Sequence, residues 1–287
     1  MTLWPFSQIE LAGSRGSFIE NAFKGRAPRP TDVPIGRAGY ADRVLRGGFP
    51  EAVGSGDARR LRFFAGYIDS ILGREVIDLA AVRDADATAR VLHLTAARSG
   101  ALTNLSAMGR ELDIDHKTVA NHLKALEQLF LIVRLRAWHR NLGHRIVRSD
   151  KLHLADTGML CTLLGADADR LASDGAIAGS VFETFVVNEI VRLASVSELG
   201  PLLSLFHYRD QRRNEIDLVI EHAAGDIVGI EVKASSTPRR ADAAGLRLLR
   251  DRLGSRFRLG LVLHLGPTSI PLGDRIEAVP LASLWSD

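Results

Sequence analysis

Asp217, Glu231 and Lys233 lie in two short runs that alternate apolar and polar residues. In Glu215 to Glu221, Ile216, Leu218 and Ile220 share one face of a strand and Asp217 lies on the other. In Ile227 to Lys233, Val228, Ile230 and Val232 share a face, and Glu231 and Lys233 lie opposite. The connection, His222 to Asp226, suits an antiparallel hairpin. Pairing Glu221 with Ile227 carries the register on to Asp217 opposite Glu231, with Cβ atoms about 4.5–5.5 Å apart. Two like charges so placed destabilise a sheet unless a cation offsets them. Mg2+, or Mn2+ in its place, would do so, because Mg2+ takes one or two carboxylates, several waters and phosphate oxygens. Such a metal would activate water and polarise a phosphoryl oxygen, and Lys233 would add a point charge for the transition state. The chemistry on offer is phosphodiester hydrolysis, with Asp217, Glu231 and Lys233 as catalytic candidates. The plain alternative is the solvated face of a hairpin, with Lys233 neutralising the acids. A one-residue bulge would also part the pair.

Glu183 is a third metal candidate, on a helix expected from Val181 to Ala194. Ser180-x-x-Glu183 also reads as a capping box, which explains the glutamate without a metal.

Around these residues the expected order is α-β-β-β-α-β. The helix is followed by strands Leu202 to Arg209, Glu215 to Glu221 and Ile227 to Lys233. A helix from Ala241 to Leu253 and a buried strand from Phe257 to Leu265 complete it. Ahead of it, helical spacing runs from Asp57 to about Ala80 and from Asp86 to Ala97. Leu105, Met108 and Leu112 mark a short helix, and Asp115 is a good N-cap for the next, with Val119, Leu123, Leu126 and Phe130 on its apolar face. Strands Leu131 to Trp138 and Leu152 to Ala155 flank a basic loop, so two helices and a hairpin predict a winged helix. Lys117, Asn121 and Lys124, with His116 beside them, form a polar stripe suited to DNA, the lysines on phosphate and Asn121 on adenine. An ordinary solvated face, or one that binds protein, is the other reading. Arg134, Arg136, His139, Arg140, His144, Arg145 and Arg148 enrich the expected wing. Prolines and glycines between Lys24 and Pro50 suggest a linker or irregular segment. The expected domains are 1–56 as linker, 57–165 as helical and winged-helix domain, and 166–287 as α/β domain.

The helix acid Glu183, the strand acid Asp217 and the Glu231-Val232-Lys233 triplet resemble the PD-(D/E)xK nuclease superfamily. That resemblance implies metal ligation by Asp217 and Glu231 assisted by Glu183, and a catalytic Lys233. A broader likeness rests on several segments. They are Leu3-Trp4-Pro5-Phe6-Ser7-Gln8-Ile9-Glu10-Leu11, Gly47-Gly48-Phe49-Pro50-Glu51, Tyr67-Ile68-Asp69, Lys151 to Gly158 and Phe182-Glu183. Tyr208-Arg209, Glu215-Ile216-Asp217 and Ile230 to Lys233 complete the set. They resemble the C-terminal portion of a prokaryotic AAA-type ATPase family, a winged helix joined to a nuclease-like domain of unknown function. No G-x-x-x-x-G-K-[ST] occurs in the sequence, so no nucleotide is expected as cofactor. The resemblance therefore implies a truncated member without the ATPase core. It leaves open a non-catalytic, DNA- or protein-binding role for an inactive nuclease fold.

Composition sets outer bounds. The 287 residues suffice for about two domains. Hydrophobic residues make up 46% and charged residues 25%, as in globular proteins. A net charge of +3 and a pI near 9.3 are compatible with DNA as partner. A protein partner or a second copy of the chain is the alternative. Cys161 is the only cysteine, so no internal disulfide forms and a cytoplasmic location fits. No membrane partner is expected, since no apolar run reaches spanning length and the N-terminus lacks a signal-peptide pattern. The nine histidines show no compact zinc-binding spacing.

Overall fold

Short polar side chains set ahead of apolar repeats start most of the helices. Asp84 accepts from the Ala87 N–H at 2.9 Å, Asn104 from Ala107 at 2.9 Å and Asp115 from Lys117 at 2.7 Å. Each replaces a partner that the first helical turn cannot supply. The computed structural model describes residues 2–14, 16–29, 34–75, 84–139 and 149–285, without the side chains of 74 and 75. The chain is mixed α/β and divides into two compact units. One, the helical unit, comprises Val44–Leu135 and Ser149–Thr184. The other, the sheet unit, comprises Met1–Arg43, Arg136–Arg148 and Phe185–Asp287. No described helix is long and apolar enough to cross a membrane.

Helices α1 (Gln8–Ala12), α2 (Phe18–Phe23), α3 (Arg37–Arg46), α4 (Pro50–Val53) and α5 (Asp57–Ser70) come first. Helix α5 runs on into a π-helical turn, Ile71–Glu75; the rest of the helix expected to reach Ala80 lies outside the described residues. Next follow α6 (Ala85–Ala97), α7 (Leu105–Leu112) and α8 (His116–Gln128), then β1 (Ile132–Ala137) and β2 (Lys151–Leu154). After them come α9 (Thr157–Leu164), α10 (Ala168–Ser173) and α11 (Gly175–Val196).

In the helical unit, β1 and β2 pair antiparallel, Ile132 with Leu154 to Leu135 with Lys151. The turn between α7 and α8 is tight. Asp113 adopts a left-handed φ of 55° at the end of α7, and Gly109 lies where a Cβ would press on the Ile114 carbonyl. Val119, Leu123 and Leu126 of α8 are fully buried, each stabilising the fold by about 1.5–3 kcal/mol. Elsewhere in the unit, Asp156 caps α9 through the N–H groups of Gly158 and Met159. It also accepts the Gly48 N–H at 2.7 Å. Gly47 has a φ of 67°, and a Cβ there would collide with that carboxylate. The Gly-Gly pair and the Asp-Thr-Gly stretch are thus two halves of one packed joint.

The sheet unit contains β3 (Leu203–Arg209), β4 (Glu215–His222), β5 (Ile227–Lys233), α12 (Ala244–Leu253), β6 (Phe257–His264), β7 (Ile270–Gly273) and β8 (Ile276–Pro280). Helix α11, whose residues from Phe185 onward belong here, thus leads into the order α11-β3-β4-β5-α12-β6. β3–β4 and β4–β5 are antiparallel, β5–β6 and β6–β8 parallel, and β7 pairs antiparallel with β8. Arg136 and Ala137 add parallel to Phe206 and His207. Leu246 and Leu249 of α12 pack on Ile216, Val219, Ile227 and Phe257.

The N-terminal residues of this unit form helices as well. Ser7 and Glu10 close a full capping box on α1, and the buried Glu189 accepts the Gln8 N–H at 2.8 Å. Burial raises the Glu189 pKa, opposed by the Arg192 guanidinium 3.1 Å away. Tyr40 is buried, and its hydroxyl oxygen accepts the Ala282 N–H at 3.1 Å. The proline- and glycine-rich stretch expected to be irregular therefore includes α3, held by Tyr40 and Val44 in their respective units.

Candidate functional site

The β4–β5 hairpin has the register its sequence predicts, from Glu221 opposite Ile227 to Leu218 opposite Ile230. The ladder stops one pair short of Asp217 and Glu231. On the other side of β4, Val219 pairs with Phe206 but Ile216 with Tyr208. β4 thus takes three steps for two of β3, a bulge that falls on Asp217 and Leu218. Bulges re-aim side chains and end pairing. Two consequences follow. Ile216 and Val219, expected on opposite faces, both join the cluster under α12. Asp217 turns its carboxylate to the neighbouring backbone, where Oδ2 accepts the Val232 N–H at 2.8 Å.

The plain reading of these acids as solvated surface charges does not describe them. Asp217 is 8% exposed and Glu231 9%. Lys233 Nζ bonds Glu231 Oε1 at 2.7 Å. Burial works against the Lys233 charge, but the carboxylates of Glu231, Asp217 and Asp242 outweigh it and raise the pKa above the usual lysine range. Lys233 is therefore an ammonium at neutral pH, not a base.

Two neighbours were not assigned to this site from sequence. Asp242 accepts the Arg239 N–H at 2.6 Å and faces Lys233 electrostatically. Its signal was its place three residues beyond Arg239 at a helix start. His264 is the register partner of Lys233 in the parallel β5–β6 ladder, and burial depresses its pKa, so it is neutral. An apolar run gave no hint of that pairing.

The donors suit a hard divalent cation. Asp217 and Glu231 are carboxylates drawn largely out of water, and Mg2+ needs only one or two of these besides water and phosphate oxygens. Among the described residues, no three His, Cys, Asp or Glu side chains gather as a metal-binding group.

Glu183 belongs to the helical unit. Its Oε1 accepts Lys151 Nζ at 2.8 Å, and Gly100, with a φ of 79°, has no Cβ to crowd the carboxylate. The expected capping box with Ser180 is absent. Helix α11 begins at Gly175, where Asp174 accepts from Ala176 and Ile177, five residues before Ser180. Ser180 is mid-helix and donates to the Ser99 carbonyl at 2.6 Å. Thr184 Oγ1 completes the local network with Ser99 Oγ at 2.9 Å and His153 Nδ1 at 3.1 Å.

His116, Lys117, Asn121 and Lys124 are all exposed on α8, opposite its buried face. Of the expected wing residues, Arg134 is paired with Glu127 and Asp150. Arg140, His144, Arg145 and Arg148 lie outside the described residues.

Comparison with known proteins finds two domain models that match stretches holding these residues. Residues 178–284, which hold Asp217, Glu231, Lys233 and Glu183, match the domain of unknown function DUF4143, typically found in AAA-ATPase-associated proteins. Residues 37–170, which hold α6 to β2, match a second domain of unknown function, DUF8612. Two uncharacterized mycobacterial proteins, one from Mycobacterium tuberculosis and one from Mycobacterium bovis, are each 33% identical to the chain over 245 residues. The alignment covers 84% of this chain and 52% of either relative, so the chain spans about half the length of the curated relatives it matches. No solved structure matches the chain.

Proposed function

We propose that the chain is a DNA-binding protein whose sheet unit hydrolyses phosphodiesters with a divalent cation held by Asp217 and Glu231. The observation that carries this reading is the burial of both acids, 8% and 9% exposed, at a bulge beside Lys233. Burying carboxylates is costly unless cations and hydrogen bonds compensate. Lys233 brings one positive charge to a place where three carboxylates act on it. The order α11-β3-β4-β5-α12-β6 agrees with the arrangement that the PD-(D/E)xK resemblance implies.

When bound, Mg2+ or Mn2+ would supply Lewis acidity and an activated water. The residues do the rest. The Val232 N–H fixes the Asp217 carboxylate through Oδ2, and Glu231 holds Lys233 charged. As an ammonium with three donors, Lys233 orients a phosphoryl oxygen and offsets charge developing on it. The exposed stripe of α8 docks the DNA, with Lys117 and Lys124 on phosphates and Asn121 on a base edge.

One observation favours a second, non-catalytic reading: Glu231 and Glu183 each have a lysine of their own. Calorimetric titration with Mg2+ and Mn2+, on wild type and Asp217→Asn, separates the two. Nuclease assays on linear, branched and single-stranded DNA accompany it. The enzyme reading expects metal binding and metal-dependent cleavage in wild type, both lost in the variant. Absence of metal binding in wild type would leave the binding-module reading. Lys117→Ala with Lys124→Ala should make the salt dependence of DNA affinity shallower by about two log units per log unit of salt. An unchanged slope would remove α8 as the DNA surface.

A further inference from the structure

The β3–β4 turn, Asp210 to Asn214, spends conformational energy on an arginine. Its loop closes through Asp210 N–H to the Asn214 carbonyl at 3.0 Å and Arg213 N–H to the Asp210 carbonyl at 3.1 Å. Arg213 takes a φ of 62°, the left-handed position that glycine fills most easily in three-residue hairpin loops. The Asp210 carboxylate locks the turn, accepting the N–H groups of Arg212 and Asn214 at 2.9 Å each. The turn presents Arg212 and Arg213 exposed, side by side.

The turn leaves the sheet at the candidate site. β3 ends and β4 begins there, and Asp217 is the third residue of β4. β5 runs antiparallel to β4, so its last residues, Glu231 to Lys233, reach the same end, where Asp217 bonds Val232. The loop after Lys233 carries Arg239 and Arg240, also exposed, just ahead of Asp242. Gly245 sits where a Cβ would collide with the Glu215 carbonyl, which brings the start of α12 against the start of β4.

The nearby acids are engaged elsewhere. Glu215 faces Arg209 at 3.8 Å, Asp210 holds the turn and faces Arg252 at 3.6 Å, and Asp242 accepts the Arg239 N–H. None of the four arginine side chains has an ion pair with a described residue. Four exposed guanidiniums on two adjacent connections, none in an ion pair with a described residue, suit a polyanion.

We infer that Arg212 and Arg213, with Arg239 and Arg240 on the adjacent loop, grip the phosphate backbone of nucleic acid on either side of the Asp217–Glu231–Lys233 site. The inference rests on the proposed nuclease reading and names the groups that position its substrate. These are positioning residues, since they touch no reacting atom.

The test measures a fluorescently labelled 20-base-pair DNA duplex binding the full chain in EDTA, over a range of salt, by anisotropy. Arg213→Gly suits the backbone better than arginine, so its melting temperature should stay level or rise. Its affinity should fall about threefold to tenfold, and the salt slope should drop by about one. Arg213→Lys should restore the slope, because it keeps the charge. Arg239→Ala with Arg240→Ala should lower the slope by about two. Wild-type slopes in both the glycine variant and the double variant would overturn the inference, with the nuclease reading intact if cleavage persists. A loss in Arg213→Gly that lysine fails to restore would also overturn it, by tracing the effect to the loop backbone. A wild-type chain that binds no duplex would remove the DNA reading itself, and this inference with it.

Discussion

Two lysine–glutamate pairs, one in each unit, differ in what surrounds them. Lys151 and Glu183 meet at 2.8 Å with side chains 3% and 16% exposed. Lys233 and Glu231 meet at 2.7 Å with side chains 33% and 11% exposed. The first pair joins a strand to a helix across 32 residues of chain, beside a buried Ser99–Thr184–His153 network. The second lies within one strand, next to another acid and at the end of the sheet where loops emerge. A sealed pair between distant segments specifies structure. A lysine a third exposed, with several carboxylates acting on it, stays open to solvent. The two bonds are nearly equal in length, and the burial of the lysine is what differs.

The largest expected effect breaks the sealed pair. Lys151→Met removes the buried lysine's bond to Glu183 and should destabilise the helical unit by about 3–5 kcal/mol. Chemical denaturation followed by circular dichroism measures it. A cost below about 1 kcal/mol would erase the distinction between the pairs.

Lys233→Met should do the reverse. It should cost less stability than Lys151→Met, because Lys233 is itself a third exposed, while metal-dependent cleavage falls at least about a hundredfold, the scale of losing one charge-stabilising donor. Cleavage near the wild-type rate would make Lys233 a counter-ion only.

The smallest effect sharpens the electrostatic side. The folded pKa of Lys233 lies above the usual 10.5, so its pair contributes stability that is fully present below pH 10.5 and fades as pH rises through the raised value. The melting temperatures of wild type and Lys233→Met should therefore differ by a constant amount from pH 7 to about pH 10, and converge above. A difference that vanishes near neutral pH would contradict the carboxylate environment.

Much of the local architecture was legible. Asp115 and the apolar spacing of Val119, Leu123 and Leu126 placed α8, because capping and helical periodicity are short-range. The hairpin register from Glu221–Ile227 to Leu218–Ile230 followed from a five-residue connection between alternating runs. The capping box of α1 was also written out, as Ser7-Gln8-Ile9-Glu10, inside a segment read as linker. Strands β7 and β8 were not anticipated. β7 is mostly exposed and contains Pro271 and Gly273, which weaken any strand pattern.

Glu183 shows where sequence reading stops. Ser180-x-x-Glu183 has the spacing of a cap, yet Asp174 caps the helix earlier, and Gly175 and Gly179 disguised its first turns. The sequence by itself determined which residues alternate, which cap, and that Asp217, Glu231 and Lys233 share one hairpin. Tertiary structure alone decided that β4 bulges at Asp217, that Lys151 engages Glu183, and that Asp242 and His264 join Lys233. Periodicity encodes the direction in which a side chain leaves its own backbone. Burial and partner choice depend on segments far away in sequence, which meet only when the core closes.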